Sequence, residues 1–230
     1  MSRLILFDID GTLTRTKNGY IPFNEALLQT FGHAGDIRLV IPDGNTDPLI
    51  VQDIFAKASV ALSLGEHDWS RFSIILRDRY HYHVRRGTTS ITAVPGTAEL
   101  LKRIASTPAL RASVVTGNVE VTAAIKLEAA GLAPYLMRGA YASDSPHRAD
   151  LPASAKLRCE EKTGHPIAAD DCIVIGDTPH DLAAARHNKM KCILVGTGRY
   201  PVEELLYCEP DRYLPDLSDT DTVLTALTAI

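Results

Sequence analysis

Arg3-Leu4-Ile5-Leu6-Phe7-Asp8-Ile9-Asp10-Gly11-Thr12 is the stretch on which the fold turns. Residues 4–7 are continuously apolar rather than alternating, which is the pattern of a strand buried on both faces. Asp8 cuts the run, and Gly11-Thr12 marks a turn. From Pro95 onward the same theme recurs, with strand signals at 112–116, 135–139, 172–175 and 192–195. Helical signals over 96–106, 119–130, 150–163 and 181–187 separate them, and two more follow near 202–206 and 220–230. Strand and helix in alternation imply an open parallel sheet with helices on both faces.

Residues 16–90 read differently. A helix over 22–31 is closed by Gly32, and Thr46-Asp47-Pro48 opens a second that runs to Gly65. A third spans 69–86, with Trp69, Phe72, Leu76 and Tyr80 on one face and Gly87 as its stop. The only strand-like run in this stretch is 38–41. The expected architecture is therefore α/β, with a Rossmann-like parallel-sheet core at 1–15 and 91–230. An inserted α-helical cap at 16–90 interrupts it.

Composition narrows the function classes. The 230 residues carry 24 Lys and Arg against 28 Asp and Glu, a formal charge of −4. That balance argues against nucleic acid as a partner. Cys159, Cys172, Cys192 and Cys208 form no CxxC pair, so they read as reduced packing residues. No apolar stretch approaches the ~18 residues of a membrane span. The expectation is a cytoplasmic protein with neither membrane nor nucleic acid as partner.

In an open α/β sheet, ligands gather outside the carboxyl ends of the strands. The first strand ends at Asp8 with Asp10 two residues on, another at Thr116-Gly117-Asn118, and a third at Asp177 with Asp181 four residues on. Singly, each has an ordinary explanation as a turn or helix cap. Together they put carboxylates, a hydroxyl and glycine-flanked turns at one sheet edge.

With these residues in view, the chain resembles the haloacid dehalogenase-like hydrolases. Phe7 to Thr14 (FDIDGTLT) is similar to that family's first motif, Val115-Thr116-Gly117-Asn118 to its second, and Ile175 to Asp181 (IGDTPHD) to its fourth. The resemblance covers the α/β portion and points to the branch similar to phosphoglycolate phosphatases. It implies that Asp8 is a nucleophile and Asp10 a general acid and then base. Mg²⁺ is the implied cofactor, held by Asp8, the backbone carbonyl of Asp10 and Asp177, with Asp181 behind them or acting through water. Thr116 and the backbone N–H groups of Gly117 and Asn118 would receive the phosphoryl oxygens.

The third motif departs from the family, because no Lys-Pro pair precedes the helix before the fourth. Two cations compete for its role. Arg148, in the loop before that helix, is favoured over Lys156, which lies about two turns inside it. Gly44-Asn45-Thr46-Asp47 either leans over the site or simply caps a helix. Arg71, Arg77, Arg79, Arg85 and Arg86 read as a solvated face. The implied activity is a phosphatase acting on a small phosphorylated metabolite. The alternatives are a phosphomutase of the β-phosphoglucomutase type and a non-catalytic binding or regulatory module on the same fold.

Overall fold

The computed structural model describes residues 2–60 and 65–230. After β1 (Arg3–Phe7) the chain enters a two-stranded antiparallel ribbon, β2 (Thr14–Lys17) paired with β3 (Ser90–Ala93). No sequence pattern points to this ribbon, whose threonine-rich strands are too short to display a period. Between its strands lie α1 (Tyr20–Phe31), α2 (Asp47–Lys57) and α3 (Glu66–Arg85). The expected strand at 38–41 does not form. A 3₁₀ turn occupies Ile37–Leu39, capped by the Asp36 carboxylate accepting from the Arg38 N–H. Leu39 and Ile41 are exposed, so no sheet buries the short apolar run that suggested a strand. Helix α2 stops at Lys57, and Ser59 adopts a positive φ. The helical continuation expected over 61–64 lies outside the described residues.

Beyond the ribbon, helices and strands alternate as α4 (Thr97–Ala105), β4 (Leu110–Val115), α5 (Glu120–Ala129) and β5 (Met137–Ala140). They continue as α6 (Leu151–Thr163), β6 (Cys172–Gly176), α7 (Pro179–His187) and β7 (Lys191–Val195). A short α8 (Val202–Tyr207), β8 (Arg212–Leu214) and α9 (Thr220–Ala229) complete the series. The six long-range strands pair in parallel in the order β5-β4-β1-β6-β7-β8.

That order decides where chemistry can sit. The chain runs outward from β1 through β4 to β5, then returns to the other side of β1 for β6. The reversal makes the carboxyl ends of β4, β1 and β6 neighbours at a topological switch point. Phe7 pairs with Val114 on one side and Ile175 on the other, so the residues that follow all three strands emerge together.

Side chains of β1 alternate between two cores. Ile5 and Phe7 enter one cluster and Leu4 and Leu6 the other, on opposite sheet faces. A third cluster joins Phe23, Leu27, Ile54, Phe55, Phe72 and Leu76 of the inserted helices. Val119 and Ile125 from α5 belong to this third cluster as well, so the inserted helices rest on the α5 side of the sheet. Full burial of each such side chain contributes roughly 1.5–3 kcal/mol, which makes that seam an apolar contact rather than a loose tether. Cys159, Cys172 and Cys192 are buried free thiols, and Cys208 is partly buried.

Candidate active site

Asp8 leaves the end of β1 with its N–H bonded to the Ile175 carbonyl at 2.8 Å, which fixes it beside the end of β6. Asp177 follows β6 directly, and the Thr12 hydroxyl donates to its Oδ1 at 2.8 Å. The turn bringing Thr12 back passes through Gly11 at φ +84°, where a Cβ would collide with the Asp177 carboxylate. Only glycine satisfies both demands. Asp181 stands in the first turn of α7, where its Oδ2 accepts from the Thr178 N–H at 3.1 Å and hydroxyl at 2.7 Å, closing a capping box. One oxygen from each of Asp8, Asp177 and Asp181 lies within 4.8 Å of the others, and all three residues are buried. Asp181 therefore lies within reach of the other two carboxylates, with its Oδ2 engaged by Thr178 and its Oδ1 by Arg148.

Arg148 answers this negative charge. It begins a 3₁₀ turn ahead of α6 and is itself buried. Its Nη2 donates to Asp8 Oδ1 at 2.8 Å and to Asp181 Oδ1 at 2.5 Å. Lys156 does not approach: it pairs with Glu160 one helical turn along, at 2.8 Å, and does not line the site. Of the two competing cations, the loop arginine is the one beside the carboxylates. A single guanidinium does not balance three of them. Burial pushes the Asp8 carboxyl above the usual range, opposed by Arg148 and reinforced by Asp181 and Asp10. Burial likewise raises Asp177, with the charges of Asp8 and Asp181 adding to the effect. An all-oxygen, charge-rich set of this kind suits a hard divalent cation such as Mg²⁺.

Asp10 sits in a different environment. Its side chain is 44% exposed and Oδ2 accepts from Lys126 Nζ at 2.6 Å and Asn118 Nδ2 at 2.8 Å. Burial of the carboxyl works upward, yet the Lys126 charge and these hydrogen bonds outweigh it and hold Asp10 below the usual range. Thr116 Oγ1 accepts from Asn118 Nδ2 at 2.7 Å, so the Asn118 side chain bridges Thr116 to Asp10. The sequence reading gave Asn118 only a backbone role.

Lys126 was not foreseen at all. A signal existed: within Ile125-Lys126-Leu127, position 126 falls three and four residues after Ala123 and Thr122, on the buried stripe of α5.

The loop at 44–47 does lean onto the core. Asp47 N–H donates to the Gly117 carbonyl at 2.7 Å, and the Asp47 carboxylate accepts from the Val119 N–H at 2.8 Å. Gly117 lies against the Asn45 carbonyl so closely that a Cβ could not fit. Thr46 makes no side-chain cap for α2; its hydroxyl donates instead to the Pro146 carbonyl at 2.6 Å. The result is a cavity of about 450 Å³ between sheet edge and inserted helices. Asp8, Asp10, Thr116, Arg148 and Asp177 line its floor, and Phe23, Ile50, Leu76 and Tyr80 its upper wall. None of Arg71, Arg77, Arg79, Arg85 or Arg86 lines it, whereas Arg38 and Arg199 do.

Among the described residues no helix is long and apolar enough to cross a membrane. The fold and motifs have recognisable relatives. The chain is 26% identical over 212 residues to the phosphoglycolate phosphatase of Rhodospirillum rubrum, covering 89% of this chain and 85% of that one. A 5'-nucleotidase of Pseudomonas aeruginosa is 41% identical over 58 residues, a match spanning 25% of this chain and 26% of the nucleotidase. Among solved structures, a predicted phosphoglycolate phosphatase from Haemophilus somnus 129pt superposes with a TM-score of 0.68 at 21% identity, covering 97% of this chain and 98% of that one. The sequence profile of the haloacid dehalogenase-like hydrolases matches residues 2–188. With the carboxylates of its first and fourth motifs meeting at one switch point, the chain belongs to the haloacid dehalogenase-like hydrolases.

Proposed function

We propose that this hydrolase is a Mg²⁺-dependent phosphatase that releases phosphate from a small phosphorylated metabolite through an aspartyl-phosphate on Asp8. The observation that carries the reading is the convergence of Asp8, Asp10, Asp177 and Arg148 on the floor of one cavity, with buried Asp181 against Asp8, Asp177 and Arg148. A cation held by Asp8, Asp177 and the Asp10 carbonyl would neutralise the charge that otherwise keeps a phosphoryl dianion from a carboxylate.

The remaining work falls to the chain. Arg148 occupies Asp8 Oδ1 and orients the carboxylate, and its guanidinium is suited to bind a phosphoryl oxygen as the substrate arrives. The Thr116 hydroxyl and the N–H of Asn118 supply further donors at the end of β4. The carboxylate attacks phosphorus in line, and the bond to the leaving oxygen breaks with its electron pair. Asp10, once the arriving phosphoryl charge offsets the pull of Lys126, gives that oxygen a proton and later takes one from the water that hydrolyses the acyl phosphate. The inserted helices at 16–90 act as a lid, the 44–47 loop excluding water from the reacting centre. Their apolar wall receives the leaving group.

The test is phosphate release from an aryl phosphate with and without Mg²⁺, in wild type and in Asp8→Asn. Release that requires Mg²⁺ and disappears in Asp8→Asn is expected, a loss of more than about 1,000-fold. Wild type and variant equally inert across a broad phosphate-ester panel would remove the enzymatic reading.

A further inference from the structure

Lys126 has an uncommon setting. Its side chain is only 6% exposed, and its ammonium donates to Asp10 Oδ2 at 2.6 Å and to Asn118 Oδ1 at 2.7 Å. A buried lysine is costly unless its charge is matched. Here the match comes from two sides. Asp10 and Asn118 belong to the sheet edge, while the Tyr80 ring of α3 lies 5.8 Å from Nζ and Asp47 of α2 adds a buried carboxylate nearby. The lysine stem thus fills the seam between α5 and the inserted helices.

The consequence falls on one oxygen. Lys126 and Asn118 both donate to Asp10 Oδ2, so that atom is committed as an acceptor. Asp10 Oδ1 is then the oxygen left to exchange a proton. From this geometry we infer that Lys126 is a positioning residue for the acid–base carboxylate: it fixes the rotation of the Asp10 carboxyl so that Oδ1 faces the leaving oxygen. Because Tyr80 and Asp47 complete the lysine's seat, the inserted helices set the orientation of the acid as well as covering the site. The inference rests on the reading of Asp10 as general acid.

In the first half-reaction the P–O bond breaks, its electron pair stays on the leaving oxygen, and that oxygen takes the proton from Asp10 Oδ1. An alkyl alcohol needs that proton at the transition state. A dinitrophenolate does not, since it leaves as a stable anion. The ratio of kcat/KM for an alkyl phosphate to that for dinitrophenyl phosphate therefore reads the acid alone, because kcat/KM covers steps only as far as leaving-group departure. A merely structural role for Lys126 would lower both values together.

Lys126→Met is measured beside Asp10→Asn and wild type, with Mg²⁺ present and melting temperatures recorded. The alkyl-to-aryl ratio is expected to fall on the order of 100-fold in both variants. A fall of less than about tenfold in Lys126→Met, where Asp10→Asn shows the full effect, overturns the positioning role and leaves the phosphatase reading standing. No change of ratio in Asp10→Asn removes the acid assignment, and the inference with it. Should Lys126→Met fail to fold, Lys126→Arg keeps the buried charge while displacing the donor, and the same criterion applies to its ratio.

Discussion

The strand-end floor of the cavity and the α5 seam above it use the same chemical vocabulary in opposite ways. On the floor, Asp8 and Asp177 are crowded together, and against buried Asp181, with too little positive charge, and burial raises the first two. At the seam, Lys126 sits among Asp10, Asp47 and Tyr80, and its own burial is outweighed by their charges. One region is built to need an incoming cation, and the other carries its cation in the chain. Asp8 and Asp10, two residues apart, are thus tuned apart by what each faces: a carboxylate cluster in one case, an ammonium in the other.

After the loss of Asp8 itself, the largest effect expected on the floor is that of Arg148→Ala. It strips the guanidinium from Asp8 and Asp181, and phosphate-release assays should give a loss on the order of 100-fold to 1,000-fold. An Arg148→Ala enzyme within about threefold of wild type would put the third-motif role elsewhere.

A smaller effect, on stability and confined to the seam, is expected at Asp47. Burial raises its carboxyl from 3.8 to about 6, partly offset by the Val119 N–H and Lys126. A raised acid contributes stability that is fully present below pH 3.8 and is lost as pH rises through about 6. Asp47→Asn keeps an acceptor for Val119 and escapes this loss. Denaturant unfolding should therefore show the variant gaining on wild type between pH 4 and 7, by on the order of 2 kcal/mol. A difference that is flat across that range would mean the seam does not load its charges as described.

The smallest effect is expected at Lys156, whose only described partner is the half-buried Glu160 on its own helix. Lys156→Ala should leave turnover within about twofold of wild type and cost a few tenths of a kcal/mol. Crippled turnover in this variant, with Arg148→Ala active, would reverse the assignment of the two cations.

The same contrast explains how much was legible in the sequence. The floor could be read because strands end abruptly: an apolar run followed by Asp8, Thr116 or Asp177 places that residue at the sheet edge whatever the rest of the chain does. Parallel pairing in the order β4-β1-β6 then makes the three ends adjacent. The seam could not be read in that way. Lys126 acquires its meaning from Asp10, Asp47 and Tyr80, all more than 40 residues earlier in the chain. Nothing local announces that docking, although the lysine's place on the buried stripe of α5 was a clue. The ribbon of Thr14–Lys17 and Ser90–Ala93 was illegible for a related reason, since four-residue strands whose partners lie some 70 residues apart owe their form to pairing rather than to pattern. The 38–41 run misled because a short apolar run makes a strand only when a neighbouring strand pairs with it and something covers it, and here Leu39 and Ile41 face solvent.

In the proposed reaction the phosphoryl group passes through Asp8, where it should be open to trapping. Asp10→Asn, given Mg²⁺ and dinitrophenyl phosphate, should still lose the activated leaving group, yet lack the base that directs water at the acyl phosphate. Rapid acid quench followed by peptide mass spectrometry should then find a phosphoryl adduct on Asp8 that accumulates in Asp10→Asn and is transient in wild type. An active wild-type enzyme with no adduct in either protein, or with the adduct on another residue, would contradict the account.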